Sequence, residues 1–260
     1  EPARPSEGPL RCTAGCLGSL RPPGRWAPYS TCTECGTGVQ QLRPPTEYWG
    51  EGVEPSSAQH EFWAGRDAQR LELVGAGPGH LLDVGCGFGH FVRWANDHGW
   101  DAWGIEADAW GVQRTEAPGR VFRTLDEVEP MAPFDMVTMW DVLEHVSEPL
   151  DLLERLRTQL RPGGRVLVVT PNFASMKLRW PFYRRRPQRF ADVIRPHEHV
   201  SQFSTKGLVL AIRRAGFGEV RVVNPPPPTA RNVLVSTAVR RLPFLRQGQF
   251  VHAAVPVEGQ

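Results

Sequence analysis

HLLDVGCGFGH, at residues 80–90, is the segment from which the architecture of this chain is inferred. It begins as a short apolar run that ends in a carboxylate at Asp83, and it continues into three alternating glycines. This pattern predicts a buried strand that passes through a tight turn into a helix. Without Cβ atoms, Gly85, Gly87 and Gly89 let the backbone lie flat against a ligand, and the following helix offers unpaired N–H groups. We therefore expect a ligand-binding loop that binds through main-chain atoms.

The spacing of these glycines distinguishes two kinds of nucleotide-binding fold. A dinucleotide-binding loop has the pattern G-x-G-x-x-G, and His90 stands where its last glycine would be. The spacing therefore argues against NAD or FAD. About twenty residues later, WDAWGIE (100–106) predicts a second strand that ends in an acid, where doubly wound sheets hold the two hydroxyls of a ribose. Glu106 is the candidate ribose ligand.

From about residue 81 to residue 217 the chain resembles the class I S-adenosylmethionine (SAM)-dependent methyltransferases. The resemblance rests on LLDVGCGFGHF, GIEAD, FDMVTMWDVLEHV, LRPGGRVLVVTPN and HEHVSQFS, in the order that this superfamily uses. It implies an α/β fold with a Rossmann-like sheet of seven strands, and SAM as the cofactor. The cofactor-binding residues that we predict are Asp83, Gly85, Cys86, Gly87, Gly89, Glu106, Ala107, Asp126 and Trp140.

The segment DVLEHV follows the predicted fourth strand and resembles the E-x-x-E-H of ubiquinone-biosynthesis O-methyltransferases. If the segment is helical, Asp141, Glu144 and His145 share one face. The resemblance then implies a divalent ion such as Mg²⁺, which would lower the pKa of a bound hydroxyl. The alternative is that Glu144 and His145 only cap and brace the helix.

Histidines supply the candidates for a general base, because an imidazole can take a proton from a substrate hydroxyl near neutral pH. The family pattern of a histidine four residues before Phe and Ser matches His199. His199 is the first candidate, His145 the second and His197 the third, with structural roles as the alternative. Asp141 and Glu144 complete the predicted catalytic group.

Residues 1–45 are rich in Pro, Gly and Arg and lack apolar periodicity, so hydrophobic burial alone cannot fold them. Two pairs of cysteines have the spacing of a tetrahedral zinc site. We predict a structural Zn²⁺ in a zinc-ribbon-like module (1–45), followed by a helical connector over the cofactor site (46–75) and the methyltransferase domain (76–260). The alternative is a pair of disulfides, which fits a cytoplasmic enzyme poorly. The four predicted zinc ligands are Cys12, Cys16, Cys32 and Cys35.

Residues 173–196 form a basic aromatic insertion with seven Lys or Arg and five aromatic side chains. Three functions fit such a segment: a lid over an acidic small molecule, a contact with anionic lipid, or a nucleic-acid surface. The alternative is a solvated loop without a binding role. A net charge of +2 is too small to indicate nucleic-acid binding by itself. No apolar run approaches the length of a membrane span and no signal pattern is present, so we expect a cytoplasmic protein.

Together these features predict SAM-dependent methyl transfer to an oxygen of a small-molecule acceptor. Natural products, quinone-like compounds and acidic compounds are the candidate acceptors. Three alternatives stay open. The chain could be an RNA or tRNA methyltransferase, a C- or N-methyltransferase of a sugar or secondary metabolite, or a scaffold that binds without catalysis. The sequence does not determine the acceptor or the oligomeric state.

Overall fold

The computed structural model describes residues 10–24, 28–40, 56, 66–67, 70–183, 194–223 and 248–256. Most of the predicted connector and the arginine-rich part of the insertion lie outside these residues. Within the connector, residues 66–67 and 70–74 are helical, and we label the second segment α1. Among the described helices, none has the length and apolar character needed to cross a lipid bilayer.

The regular elements follow in chain order. The strands are β1 (Leu20–Arg21), β2 (Ser30–Cys32), β3 (Gly38–Val39), β4 (Gly79–Val84), β5 (Trp100–Ile105), β6 (Val121–Phe122), β7 (Phe134–Trp140), β8 (Leu160–Pro171), β9 (Ser201–Gln202), β10 (Gly218–Val223) and β11 (Gly248–Ala254). The further helices are α2 (His90–Asp97), α3 (Ala109–Gln113), α4 (Leu125–Val128), α5 (Pro149–Gln159), α6 (Phe173–Tyr183) and α7 (Thr205–Arg214). Short 3-10 turns cover Glu129–Met131 and Leu143–His145.

Seven strands form one sheet in the order β10-β11-β8-β7-β4-β5-β6, which confirms the predicted seven-stranded α/β fold. Strand β4 pairs in parallel with β5 on one side and with β7 on the other. The chain therefore reverses its direction of winding between β4 and β7. In doubly wound sheets ligands bind at such a switch point, outside the carboxyl ends of the strands.

The chain divides into two compact units, which we describe separately. Unit 1 comprises Glu1–Pro45, Asp141–Arg155 and Val168–Ala253, and unit 2 comprises Thr46–Trp140, Leu156–Leu167 and Ala254–Gln260.

The core of unit 2 is built around β4. This strand has a continuous apolar run because a central parallel strand is covered on both faces, and Leu81 and Leu82 are fully buried. Helix α2 presents Phe91, Val92 and Ala95 as its buried side chains. The predicted strand, turn and helix around the glycines are therefore present.

In unit 1, the N-terminal cysteine-containing segment contributes to a second, antiparallel sheet of order β1-β2-β3-β9. Its strand β3 pairs with β9, so that Gly38 lies opposite Gln202 and Val39 opposite Ser201. Tyr29 packs in a buried cluster with Phe173, Met176 and Ile194. The segment is thus held by strand pairing and apolar burial within unit 1 as well as by its cysteines. The predicted domain boundaries stay predictions.

The first half of the basic aromatic insertion is helical. It forms α6, and its residues Phe173 and Met176 are buried. The Lys177 ammonium donates a hydrogen bond to the Gly36 carbonyl at 3.2 Å and lies 4.1 Å from the centroid of the Phe173 ring. The beginning of the insertion, residues 173–177, therefore packs within unit 1.

Residues 162–164, Pro-Gly-Gly, are a sequence that typically ends a helix and precedes a strand. They nevertheless lie within β8, which begins at Leu160. The N–H of Gly163 donates to the Val255 carbonyl, and the N–H of Val255 donates to the Gly164 carbonyl. These long-range hydrogen bonds satisfy the backbone of the glycines, so the segment extends the strand.

A glycine in α7 shows how closely the N-terminal segment packs in unit 1. A Cβ on Gly207 would overlap the Thr37 hydroxyl and lie 3.3 Å from the Thr37 Cβ. Replacing a helical glycine by alanine usually stabilises by about 0.5–1 kcal/mol. We expect Gly207→Ala to destabilise by about 1–3 kcal/mol instead, because of overpacking.

Urea denaturation of the zinc-loaded protein tests this prediction. The double variant Gly207→Ala/Thr37→Ala should recover most of the lost free energy of unfolding, since it removes the overlapping hydroxyl. A stabilising effect of Gly207→Ala alone would contradict the packing described here.

Candidate functional site

The glycine loop of unit 2 follows β4 directly. Gly85, Gly87 and Gly89 have φ angles of 69°, 57° and 72°, in the left-handed region that favours glycine. The N–H groups of Gly85 and Cys86 both donate to the Ile105 carbonyl, at 2.7 and 3.0 Å. The loop is therefore fixed to the carboxyl end of β5, the neighbouring strand.

Glu106 follows β5 and lies against this loop. Its Oε2 accepts a hydrogen bond from the Gly87 N–H at 2.8 Å, and its Oε1 accepts one from the Asp108 N–H at 2.8 Å. The residue is 7% exposed. Burial raises the pKa of Glu106, and the two N–H donors oppose that shift. The structure thus brings together the glycine loop and the acid predicted to bind ribose.

Asp83, the last polar residue of β4, is 1% exposed. Its Oδ1 accepts a hydrogen bond from the Thr138 hydroxyl at 2.6 Å, across the β4–β7 pair. Burial raises the pKa of Asp83 to about 7, although the Arg70 guanidinium lowers it. Asp83 therefore titrates near neutral pH in the SAM-free protein.

This shift predicts a pH-dependent stability. An unfolded aspartate ionises near pH 3.9, so between about pH 4 and pH 7 the folded state binds the Asp83 proton more tightly than the unfolded state. The free energy of unfolding should therefore fall as the pH rises through this window. The variant Asp83→Asn keeps an oxygen for Thr138 and should lack this loss, gaining a few kcal/mol over wild type by about pH 8.

Denaturation of both proteins across this pH range, without SAM, measures the difference. Asp97→Asn, at the exposed end of α2, is the matched control. A wild-type to Asp83→Asn difference that is constant with pH would contradict the assignment.

Sequence analysis missed Arg70 of α1. Its guanidinium lies 4.9 Å from the centroid of the Trp140 ring and 5.9 Å from that of Phe91. Its Nη1 is 2.9 Å from the Asp67 Oδ1. Trp140 itself is buried at the end of β7 and meets the Phe91 ring edge-on at 5.4 Å. An isolated arginine in a short helix gives no local signal in the sequence.

The remaining predicted cofactor residues flank the same strands. The Ala107 carbonyl accepts a hydrogen bond from Arg123 at 2.8 Å. Asp126 lies in the first turn of α4, which follows β6. The Cys86 side chain packs against Gly104 of β5. The two residues lie so close that a Cβ on Gly104 would be 2.6 Å from the Cys86 sulfur. Burial raises the pKa of the Cys86 thiol, so it stays protonated.

The predicted catalytic residues lie in unit 1 but are arranged differently from the prediction. Residues 141–145 do not form an α-helix, because Asp141 has a φ angle of 56° and a 3-10 turn covers Leu143–His145. The shared face of Asp141, Glu144 and His145 depended on a helical segment, and this condition is not met. Instead, Glu144, His145 and His199 each bring one ligand atom within 4.8 Å of the others. His197 is exposed.

Glu144 is the most unusual member of this group. It is 1% exposed, and neither carboxylate oxygen has a hydrogen-bond partner among the described residues. Burial and the charge of Asp141 raise the pKa of Glu144 well above its ordinary value. Burial of a carboxyl without a partner favours its neutral form.

The two histidine rings of the group meet edge-on, with centroids 4.6 Å apart. Burial lowers the pKa of His145 to about 4 and that of His199 to about 3. Both imidazoles are therefore neutral near pH 7. A neutral imidazole has one N–H and one lone pair, so the position of its proton decides what it can do.

The hydrogen bonds assign that proton differently in the two rings. His145 Nδ1 lies 3.1 Å from the Glu198 carbonyl, which can only accept, so Nδ1 donates and Nε2 carries the lone pair. His199 Nδ1 lies 3.0 Å from Gln202 Nε2. That amide nitrogen also donates to the Ile194 carbonyl at 2.7 Å. Because an amide nitrogen can only donate, this contact favours the tautomer in which His199 Nδ1 accepts and the proton is on Nε2.

The donor set of this group does not fit Mg²⁺. Magnesium binds through oxygen ligands with nearly octahedral geometry, whereas Glu144, His145 and His199 offer one carboxyl and two imidazoles. Asp141, which the sequence predicted as an oxygen ligand, is not part of the group within the described residues. We therefore derive no catalytic step that needs Mg²⁺.

The four N-terminal cysteines do fit a zinc ion. All four are buried free thiols, and their sulfurs lie within 4.8 Å of one another. The Cys16 sulfur is 3.2 Å from that of Cys12, 3.0 Å from that of Cys32 and 3.5 Å from that of Cys35. A tetrahedral site with Zn–S distances of about 2.3 Å separates its sulfurs by about 3.8 Å. A closed site of four cysteines is structural.

Comparison with known proteins is consistent with this geometry. A family model described as a methyltransferase domain matches residues 50–222, which is more than half of the chain. The chain belongs to this methyltransferase family. The predicted cofactor residues of β4, β5 and β7 lie within the matched part.

Several curated methyltransferases are similar in sequence. The ubiquinone biosynthesis O-methyltransferase of Sinorhizobium medicae is 31% identical over 174 residues, covering 59% of this chain and 68% of that protein. The enzyme of the same name from Aeromonas salmonicida is 29% identical over 137 residues, which cover 49% of this chain and 52% of that protein. The tRNA U34 carboxymethyltransferase of Actinobacillus succinogenes is 32% identical over 101 residues, which cover 35% of this chain and 32% of that protein. The chain spans about half the length of the first curated relatives.

Solved structures support the fold. A SAM-dependent methyltransferase from Archaeoglobus fulgidus matches with a TM-score of 0.53 and 16% identity, covering 74% of this chain and 93% of that chain. A second match is the phosphoethanolamine N-methyltransferase 2 of Haemonchus contortus in complex with SAM. Its TM-score is 0.50 and its identity 17%, and the match covers 75% of this chain and 53% of that chain. At these identities the likeness shows the fold alone.

Proposed function

We propose that this methyltransferase transfers the methyl group of SAM to an oxygen of a small-molecule acceptor. The observation that carries the proposal is the contact between Glu106 and the Gly87 N–H, beside the buried Asp83. Similarity to ubiquinone biosynthesis O-methyltransferases supports oxygen as the acceptor atom. When bound, SAM supplies an electrophilic methyl group for an in-line displacement that leaves S-adenosylhomocysteine.

In this proposal the residues of unit 2 bind and orient the cofactor. The glycine loop presents main-chain N–H groups, and Glu106 accepts hydrogen bonds from the ribose hydroxyls. Ala107, Asp126 and Trp140 complete the walls around adenosine.

The acceptor needs a base for its hydroxyl proton, and we propose His145 for that role. Its Nε2 carries the lone pair because Nδ1 donates to the Glu198 carbonyl. The Nε2 lone pair would take the hydroxyl proton of the acceptor, whose oxygen would then be ready to receive a methyl group. His199, the first candidate from the sequence, carries its proton on Nε2 and is better placed as a hydrogen-bond donor.

We further propose that a structural Zn²⁺ fills the site of four cysteines. Their mutual sulfur distances support this assignment. Cysteines that bind a metal ion instead of forming disulfides fit a reducing compartment such as the cytoplasm.

Glu106→Ala tests the cofactor site. The variant loses a charged acceptor for the ribose and for the loop N–H groups, so its SAM affinity should fall by about 10- to 100-fold. Isothermal titration calorimetry with SAM measures the change. Glu127→Gln is the control, because the Glu127 carboxylate only accepts bonds at the start of α4. Unchanged affinity in Glu106→Ala would refute the ribose assignment.

A methyl-transfer screen tests the reaction itself. Purified protein is incubated with methyl-labelled SAM and separate pools of hydroxylated aromatics, hydroxylated natural products, amines and bulk tRNA. The proposal expects label in a hydroxyl-containing small molecule. Label only in the amine pool would contradict oxygen as the acceptor atom.

A second candidate function is methyl transfer to tRNA, which the similarity to tRNA U34 carboxymethyltransferases favours. In that case label should enter tRNA, and binding should weaken steeply with salt because phosphate contacts release counterions. The described part of the insertion supports this reading less, since Lys177 binds the Gly36 carbonyl within unit 1.

A further inference from the structure

The turn 34–36 of the cysteine module is held by side chains from outside residues 1–45. Each of its three main-chain carbonyls accepts one hydrogen bond. Lys206 donates to the first at 2.8 Å, Ser204 to the second, and Lys177 to the third at 3.2 Å. Lys177 and Lys206 are the only lysines in the chain. Two ammonium groups thus bind the turn that contains Cys35, where four thiolates on one Zn²⁺ would leave net negative charge.

Other residues of the module contact the segment 194–202, which carries His199. The Tyr29 hydroxyl donates to the His199 carbonyl at 2.9 Å. The Gln40 side-chain amide donates to the same carbonyl and to that of Pro196 at 2.7 Å. The Gln40 N–H donates to the Val200 carbonyl at 3.1 Å. Residues of the module therefore fix the main chain on both sides of His199.

The ring of His199 is fixed from the strand that pairs with the module. Gln202 lies in β9, opposite Gly38 of β3. Its amide nitrogen contacts the Ile194 carbonyl, the Tyr29 hydroxyl at 3.3 Å and His199 Nδ1 at 3.0 Å. Because Gln202 and Tyr29 are both buried, water cannot replace these donors without moving the strand.

We propose that the zinc module is a positioning element for His199. Tyr29 and Gln40 hold its main-chain carbonyl, and Gln202 holds its ring with the proton on Nε2. These three are positioning residues, since they act on the site through His199. The inference rests on the proposed function in one respect, because it assumes that His199 belongs to the part of the site that binds the acceptor. The arrangement of the ring can be measured without any acceptor.

The first experiment is long-range ¹H–¹⁵N NMR of the zinc-loaded full chain with ¹⁵N-labelled histidine. In wild type we expect a lone-pair nitrogen at His199 Nδ1 and a proton-bearing nitrogen at Nε2. The variant Gln202→Met keeps the shape of the side chain but loses the donor, so the two tautomers should mix. Gln159→Met, which replaces another buried glutamine outside this segment, should leave the His199 signals unchanged.

The second experiment removes zinc with a chelator and repeats the spectrum and the SAM titration. We expect the His199 signals to move as they do in Gln202→Met, while SAM affinity changes by less than about twofold, because no cofactor residue lies in the module. Unchanged His199 signals in both zinc-free protein and Gln202→Met would overturn the proposal. A parallel loss of SAM affinity would also overturn it, since the module would then support the whole fold.

These outcomes are independent of the proposed function. If the methyl-transfer screen finds no acceptor, the NMR result still decides whether the module positions His199. If Gln202→Met fails to fold, Tyr29→Phe removes one donor to the His199 carbonyl and should shift the His199 main-chain signals with zinc retained. Unshifted signals in that variant would count against the proposal.

Discussion

Replacing Cys16 by serine should release the zinc ion and unfold the N-terminal module, whereas replacing Cys86 by serine should do neither. Cys16 is the best test among the four ligands because its sulfur contacts those of the other three. Zinc binding to such sites contributes about 10–16 kcal/mol in isolated zinc-finger peptides. We expect zinc content to fall from one per chain to near zero after dialysis, and the free energy of unfolding to fall by about 3 kcal/mol or more.

Metal analysis and urea denaturation measure these two changes. Cys86→Ser is the matched control, because Cys86 lies in the glycine loop of unit 2 and has no place in the cluster of four sulfurs. Full zinc content in Cys16→Ser, or equal zinc loss in both variants, would contradict the assignment of the ligands.

Replacing His145 by glutamine should lower the methyl-transfer rate by about 10²- to 10⁴-fold, the usual contribution of a general base. Glutamine keeps a donor toward the Glu198 carbonyl but cannot accept a proton. SAM affinity should not change, because every predicted cofactor residue lies in unit 2. The labelled-methyl assay with an acceptor from the screen measures the rate, and calorimetry measures the affinity.

Two further histidine variants make this test specific. His197→Gln replaces an exposed histidine, the third candidate base from the sequence, and should leave the methyl-transfer rate unchanged. His199→Gln should lower the rate less than His145→Gln, because His199 donates from Nε2 in our assignment. A larger loss in His199→Gln would return the role of base to His199, as the sequence pattern first indicated.

The cofactor half of the site could be predicted from the sequence because each signal there is local. The run that ends in Asp83, the left-handed glycines and the acid at Glu106 all follow from short patterns within single strands and turns. The contact between Glu106 and Gly87 joins two neighbouring parallel strands, and parallel order was implied by the family resemblance. Arg70 was missed because an isolated arginine in a short helix has no local signature.

The catalytic half could be predicted only in part. His145 and His199 were both named, but the i, i+3 and i+4 spacing was read as a helix, and the left-handed backbone at Asp141 prevents one. The tautomers of the two rings depend on the Glu198 carbonyl and on Gln202, which the sequence does not place against them. Such contacts arise from tertiary packing and leave no periodic pattern.

The attachment of the cysteine module was likewise beyond the sequence. The four cysteines predicted a metal site from their spacing alone. The pairing of β3 with β9 joins residues about 160 positions apart, and a strand of two residues has no detectable alternation. The buried cluster around Tyr29 likewise draws its members from distant segments. Local patterns therefore predicted the module and its metal site, but not the contacts that hold it within unit 1.

The most direct test of the central claim is native mass spectrometry of the purified full chain titrated with SAM and, separately, with NAD. We expect the chain to carry one zinc ion as purified and to gain the mass of one SAM or S-adenosylhomocysteine, with no adduct of NAD. A chain that gains NAD, or that never gains SAM while its zinc content is complete, would contradict the assignment of this protein as a SAM-dependent methyltransferase.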